Sequence, residues 1–252
     1  MVDINRKRWV EGRVQALHSW TDTLYSIRIE VDIEPFTAGQ FTKIALPVND
    51  ELVGRPYSFV NAPAEPLLEF YFITVPNGPL TSHLVKLQPG DTIEVSRRAS
   101  GFLTIDEVPD AHDLWLLSTG TAIGPFLSIL KSQPVWERFK RVVLVHAVRR
   151  VEELSFSETI QTIRQVHADQ FQFIPFVSRE TTDFALQARI PIALNDGRLE
   201  ERAGLQIATD SSQVMLCGNP DMVKDTSTAL QARGLTLNRR RTPGHISVEN
   251  YW

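Results

Sequence analysis

Leu114-Trp115-Leu116-Leu117-Ser118-Thr119-Gly120-Thr121-Ala122-Ile123-Gly124-Pro125 is the stretch on which the reading of this chain turns. Four consecutive apolar residues suit a strand buried on both faces, as in a parallel sheet. The Gly-Thr-Ala segment breaks that run, and Pro125 is tolerated only near the start of a helix. The same alternation continues downstream. Strands are expected at 114–118, 142–146, 171–177 and 214–217, separated by helices at 125–131, 156–166 and 220–232. Apolar strands separated by helices imply a parallel sheet with right-handed crossovers.

Upstream of this stretch the rhythm is different. Short segments rich in Val, Ile, Phe, Tyr and Thr fall at 9–17, 24–31, 40–46, 57–60, 68–75 and 92–96. Pro35, Gly39, residues 47–50, Pro63, Pro66, Asn77-Gly78-Pro79 and Pro89-Gly90-Asp91 separate them. Strands at this spacing indicate an antiparallel barrel or sandwich. One helix, 80–87, interrupts them, with Pro79 suited to its first turn. The expected fold class is therefore β plus α/β, with a β domain at 1–105, an α/β domain at 106–252 and a joint near 106–113.

Composition removes several functions. Of 252 residues, 42% are hydrophobic and 22% charged, and the net charge is −4. That balance supports a sizeable core and lacks the basic excess of a general nucleic-acid binder. The single cysteine, Cys217, allows neither an internal disulfide nor a four-thiolate iron–sulfur cluster. The histidines lack metal-ligand spacing, and no G-x-S-x-G elbow is present. The N-terminal residues lack the apolar core of a signal peptide, and no apolar run approaches the ~20 residues that cross a bilayer. A cytoplasmic protein with no membrane partner is expected.

Five constellations carry chemistry. Arg55-Pro56-Tyr57-Ser58 opens the strand expected at 57–60 and combines a phosphate fork, a stacking ring and a hydroxyl. Asn77-Gly78-Pro79-Leu80-Thr81-Ser82 opens the short helix, whose N-terminus would favour an anion. The Ser118–Pro125 loop lets backbone approach a dinucleotide closely, although it is neither G-x-G-x-x-G nor a P-loop. Met215-Leu216-Cys217-Gly218-Asn219-Pro220-Asp221 ends a strand on the side where α/β sheets bind ligands. Val248-Glu249-Asn250-Tyr251-Trp252 places two large aromatics where terminal residues are usually polar. Each alone has a plain structural explanation: a surface arginine, a helix start, a buried thiol, self-packing.

Their order is more specific. Taken with Phe36-Thr37-Ala38-Gly39-Gln40-Phe41 and Val177-Ser178-Arg179-Glu180-Thr181, it resembles the bacterial ferredoxin/flavodoxin–NADP⁺ reductase family over essentially the whole chain. The resemblance implies an antiparallel FAD-binding β-barrel followed by a Rossmann-like, parallel-sheet NADP-binding domain. It implies FAD contacts at Arg55, Pro56, Tyr57, Ser58, Tyr71, Phe72, Ile73, Thr74, Leu80, Thr81, Thr121 and Trp252. It implies NADP(H) contacts at Val148, Arg149, Ser178, Arg179, Arg189, Gly218, Asn219 and Asp221. Ser58, Cys217, Glu249 and Tyr251 would surround the reacting atoms. Two departures stand out: Ala122 occupies the second glycine position of the family's commoner Gly-Thr-Gly loop, and the C-terminal segment runs past the usual Glu-Val-Tyr end of plant members.

Arg149 and Arg179 after successive parallel strands, with Arg189 ten residues later, favour NADPH over NADH, since a 2′-phosphate needs cationic forks. The expected activity carries hydride from NADPH through FAD to a ferredoxin or flavodoxin, with the chain as a monomer. Basic runs at Arg6-Lys7-Arg8, Arg97-Arg98 and Arg239-Arg240-Arg241 are candidate docking faces for that carrier. The rival readings are an NAD(P)H–flavin reductase or oxygenase reductase component, a non-catalytic redox sensor, and a β-barrel interaction protein without a cofactor.

Overall fold

The computed structural model describes residues 8–76 and 78–250. Six strands build the first sheet: β1 (Trp9–Ser19), β2 (Leu24–Glu30), β3 (Phe41–Val48), β4 (Glu51–Ser58), β5 (Leu68–Ile73) and β6 (Thr92–Ser96). They pair antiparallel in the order β4-β3-β6-β1-β2-β5. A bridge between Phe59 and Phe70 brings the two edges of the curled sheet together. Alternation turns Ile27, Ile29, Ile44, Phe70, Phe72 and Val95 into one core. Phe59 stacks on Phe36 within it at 3.9 Å between ring centroids.

Two expectations for this sheet need correction. Arg55-Pro56-Tyr57-Ser58 closes a strand instead of opening one. Asn49 and Asp50 both take positive φ, 50° and 65°, so they make a two-residue hairpin and β4 begins at Glu51. The expected helix 80–87 shrinks to α1 (Thr81–Leu84). The chain tightens to i→i−3 hydrogen bonds at Lys86 and Leu87, just before Pro89-Gly90.

The second sheet is parallel and five-stranded: β7 (Asp113–Thr119), β8 (Arg141–Val148), β9 (Phe171–Val177), β10 (Ser212–Gly218) and β11 (Ile246–Asn250), in the order β11-β10-β7-β8-β9. Around it lie α2 (Ile123–Leu130), α3 (Gln133–Arg138), α4 (Ser157–Val166), α5 (Ile190–Asn195), α6 (Arg198–Ala203) and α7 (Pro220–Ala232). Leu114 and Leu116 face the cluster that includes α2 to α4. Trp115 and Leu117 face the one that includes α5 to α7. This two-sided burial is why β7 has no polar face; each such side chain contributes about 1.5–3 kcal/mol relative to exposure. The sequence missed α3, α5, α6 and β11. The three helices have six residues each, too short for a clear periodic signal. The strand β11 was read only as an aromatic tail.

The first strand of this sheet lies in its middle, and the chain crosses back over it between β9 and β10. The C-terminal ends of β7 and β10 therefore form a topological switch point, where ligands bind in open α/β sheets.

One apolar cluster spans both sheets, joining Leu24, Ala38, Val60 and Tyr71 to Ile123, Phe126 and Phe156. Polar links reinforce it. Tyr71 Oη and Ser155 Oγ are 2.7 Å apart, and Ser128 Oγ donates to the Asn61 carbonyl at 2.6 Å. Phe156 holds a left-handed backbone, φ 61°, a strain of about 1–2 kcal/mol. Its ring packs against Trp20 and Tyr71 at 4.6 and 5.1 Å.

Candidate active site

Cys217, at the end of β10, is paired in register with Ser118 of β7 on one side and Glu249 of β11 on the other. The thiol is fully buried. A methyl placed on Gly101 would come within 3.4 Å of Glu249 Oε2, so this carboxylate lies against the β domain. Gly101 follows Ser100, which exchanges backbone hydrogen bonds of 2.9 and 2.8 Å with Phe41. Phe41 in turn faces buried Ser58 across the β3–β4 pair. Ser58, Gly101, Glu249 and Cys217 thus follow one another along a continuous seam between the sheets.

Burial governs the titration of this seam. Loss of water pushes the Glu249 carboxyl up to about 7, because the ionised form loses most on desolvation. The Cys217 thiol lies well above its ordinary range, first from burial and then from the Glu249 charge. Burial also pushes the Tyr57 phenol up to about 12, with nearby Arg55 pulling the other way. Cys217 and Tyr57 are therefore uncharged at neutral pH, while Glu249 is poised to gain or lose a proton there.

The residues expected to hold a flavin divide into two groups. Arg55 and Pro56 are exposed at the end of β4, and the Arg55 guanidinium bonds only its neighbour's carbonyl, Gly54, among the described residues. Tyr57 sets its ring edge-on to Phe72 at 6.1 Å. Ile73 is exposed and Thr74 half-buried. By contrast, the side chains of Phe72 and Leu80 are committed to the barrel core, and Tyr71 is committed to Ser155 and Phe156. The Thr81 hydroxyl accepts the Val75 N–H at 3.2 Å. These four leave mainly backbone to a ligand.

The switch point has a fixed geometry. Gly120–Ala122 form a single 3₁₀ turn, with Thr121 half-exposed, leading into α2. A side chain on Gly120 would meet nothing within 4 Å, so one flank of the turn is open to a ligand. Gly218 sits at φ 140°, and a Cβ there would fall 2.1 Å from Thr119 Oγ1. Only glycine allows that approach. The Thr119 hydroxyl accepts the Asn219 N–H at 2.9 Å, tying the loop after β7 to the loop after β10. Asn219 spends its side-chain oxygen capping α7, accepting from Asp221 and Met222. Asp221 is exposed in the first turn. Sequence reasoning quoted Thr119 without a role; a hydroxyl opposite an obligatory glycine was the available signal.

Two of the three arginines are joined through the backbone, and Arg189 lies at the start of α5. The Arg179 N–H donates to the Arg149 carbonyl at 2.9 Å. Val148 accepts from both the N–H and the hydroxyl of Ser178, at 3.0 and 3.2 Å. Arg149, Arg179 and Arg189 are exposed, and none forms an ion pair among the described residues. Glu180, the nearby acid, accepts the Val151 N–H at 2.6 Å and faces Arg150 at 3.5 Å. Tyr251 and Trp252, expected beside the cofactor, and Asn77 lie outside the described residues. Among the described residues, no helix is long and apolar enough to cross a membrane.

Comparison with known proteins agrees with this layout. An oxidoreductase FAD-binding domain model matches residues 16–100, and an oxidoreductase NAD-binding domain model matches 116–228. A flavodoxin/ferredoxin–NADP reductase of Escherichia coli is 46% identical over 245 residues, covering 97% of this chain and 99% of that protein. A ferredoxin–NADP reductase of Pseudomonas aeruginosa is 37% identical over 94% of this chain and 95% of its own length. The crystal structure of a ferredoxin NADP⁺ reductase from Neisseria gonorrhoeae, with bound FAD and NADP, superposes with a TM-score of 0.91 at 33% identity, covering 97% of this chain and 99% of that one.

Proposed function

This chain belongs to the flavodoxin/ferredoxin–NADP reductase family, and from that premise we propose that its chemistry takes place at the seam of Ser58, Cys217 and Glu249. It is an FAD-dependent reductase that moves electrons between NADPH and ferredoxin or flavodoxin. Bound FAD supplies the conversion between a two-electron hydride and single electrons, which no side chain of this protein can perform. The register of Cys217 between Ser118 and Glu249, against Gly101 of the β domain, is the observation that carries the assignment of the site.

The chain's own groups have distinct tasks in this reading. Arg55 forks onto the FAD pyrophosphate, and Tyr57 and Ser58 contact the ring system. Backbone at 71–74 and 80–81 completes that side. Thr121, on the open turn after β7, bridges towards the ring from the other domain. Gly218 leaves room for the nicotinamide beside Cys217, whose thiol packs without ionising. Glu249, pushed up to about 7 by burial, can hold or release a proton near neutral pH. Ser178, Arg179 and Arg189, with Arg149 beside them, hold the 2′-phosphate and adenosine, while Val148 and Asp221 flank the nucleotide. The engagement of Glu180 with Arg150 and the Val151 N–H supports NADPH preference, since that acid is already occupied. The boundary at 105/106 falls in the gap between the two family-model matches. A cytoplasmic location, which the unpaired Cys217 fits, and a monomeric state complete the proposal.

For the carrier, we infer docking at Arg239–Arg241. Arg98 is paired with Glu34 at 3.1 Å. Arg240 instead lies over the ring of Phe102 at 4.5 Å, and Phe102, 60% exposed, directly follows Gly101 of the seam. Arg6 and Lys7 lie outside the described residues.

An anaerobic titration tests the assignment. A yellow protein bleached by NADPH much faster than by NADH, then reoxidised by ferredoxin or flavodoxin, supports it. Faster bleaching by NADH removes the 2′-phosphate role of the arginines.

A further inference from the structure

His146 is the only polar side chain in residues 142–148, and it is fully buried. Alternation along β8 puts it on the same face as Val142 and Leu144, the side of α2. Its Nε2 lies 3.0 Å from the Gly120 carbonyl oxygen. A carbonyl only accepts, so Nε2 carries the proton. Nδ1 is then a bare acceptor, and it has no partner among the described residues. A proton added there would be buried without an acceptor, so the ring stays neutral. Its register neighbours are Ser118 and Pro175, and Ser118 has already turned its hydroxyl to the Val145 carbonyl at 2.8 Å.

The Gly120–Ala122 turn has two other supports: the Ile123 N–H also bonds the Gly120 carbonyl, and Ala122 is buried in the cluster shared by the two sheets. Gly120 takes φ 55° and nothing lies within 4 Å of where its side chain would be. Thr119 ties the preceding residue sideways to Asn219. Beneath the turn, the side chain of His146 reaches the Gly120 carbonyl.

We propose that His146 is a positioning residue for NADPH oxidation: through the Gly120 carbonyl it holds the turn that carries Thr121 and begins α2. The role rests on the reading of this turn as a cofactor contact given above. His146 touches neither substrate nor cofactor; it fixes the backbone that does. Without its N–H, the carbonyl keeps only the Ile123 N–H of its two partners, and the turn is held less firmly before the dinucleotide binds.

Three variants and one spectrum test this on the FAD-loaded protein. His146→Leu raises KM for NADPH about tenfold, the effect of one buried hydrogen bond, and leaves kcat within about threefold. His146→Gln, whose amide nitrogen extends to the same depth as Nε2, recovers most of that loss. Nitrogen-15 NMR of the wild-type imidazole at neutral pH shows the neutral Nε2–H form. An Nδ1–H form or an imidazolium in the wild-type spectrum overturns the proposal without depending on any variant's folding, and equal KM values for Leu and Gln variants that both retain FAD overturn it as well. Thr121→Ala separates the two layers of the argument. If it raises KM and His146→Leu does not, the positioning role alone fails. If neither moves KM, the turn is not a cofactor contact and the proposal fails with that reading.

Discussion

Glu249 stands directly beside Cys217 on the neighbouring parallel strand, and the pair is buried enough that the carboxyl holds its proton to about pH 7. A group that loses its proton near the working pH suits proton exchange. NADPH-driven reduction should therefore slow as pH rises through about 7. Glu249→Gln should remove that inflection from the kcat/KM profile, as read by stopped-flow bleaching of the flavin. A variant profile identical to wild type excludes Glu249 as the titrating group.

Cys217 should be chemically silent in the folded protein. Its thiol is buried and displaced away from the thiolate, the reactive form. A disulfide reagent such as dithionitrobenzoate should release no colour from the native protein and one equivalent after denaturation, matching the single cysteine.

Arg179 after β9 and Arg189 at the start of α5 should act on NADPH alone. Replacing Arg179 or Arg189 by Ala removes charge-assisted hydrogen bonds worth about 1.5–3 kcal/mol each, or roughly 10- to 150-fold in KM for NADPH. Steady-state kinetics with NADH should change by less than about twofold, since NADH has no 2′-phosphate to lose.

Charge reversal at Arg240, with Phe102→Ala as a second variant, should weaken carrier turnover and flatten its ionic-strength dependence. NADPH-dependent reduction of ferricyanide should be unchanged. Equal effects in both assays place the damage in the flavin site instead.

Stability should depend on acid through two opposed groups. Burial lowers His146 to about 4, so its stabilising neutral form is fully present above about 6.5 and lost as pH falls through 4. At 1.36 kcal/mol per pH unit this swing is about 3 kcal/mol. Glu249 runs the other way: its raised value favours the fold below about 4.5, and that advantage disappears as pH rises through about 7. Thermal unfolding of wild type should be nearly flat between about pH 4.5 and 6.5. Glu249→Gln should lose stability on acidification across that window, and His146→Gln should gain it.

The architecture was legible where sequence patterns are strong. The apolar runs of β7 to β10 and the capped α7 stood out because two-sided burial and Pro220 leave clear marks. Both layers followed from them. Three six-residue helices escaped because they hold too few turns to show a period. β4 was shortened because Asn49-Asp50 reads as a loop until its φ angles show a hairpin. At the site, Cys217 and Glu249 were named, but their adjacency was not, since it depends on β11 joining the sheet beside β10. Tyr71 and Leu80 are expected flavin contacts whose side chains lie in cores, a burial the resemblance did not reveal. His146 was passed over because metal spacing was the question asked of it. A lone imidazole in an otherwise apolar strand was the available signal.

The apolar cluster shared by Val60, Tyr71, Phe126 and Phe156 makes the two halves poor candidates for exchange. A chimera that kept the barrel and borrowed another reductase's nucleotide half would have to match both surfaces of this seam at once. Cutting the chain at the joint would leave each fragment with an oily face turned to water and prone to self-association. Inheritance of altered coenzyme preference should therefore proceed through side chains at the sheet edge, such as Arg179 and Arg189, and not through the swapping of whole domains.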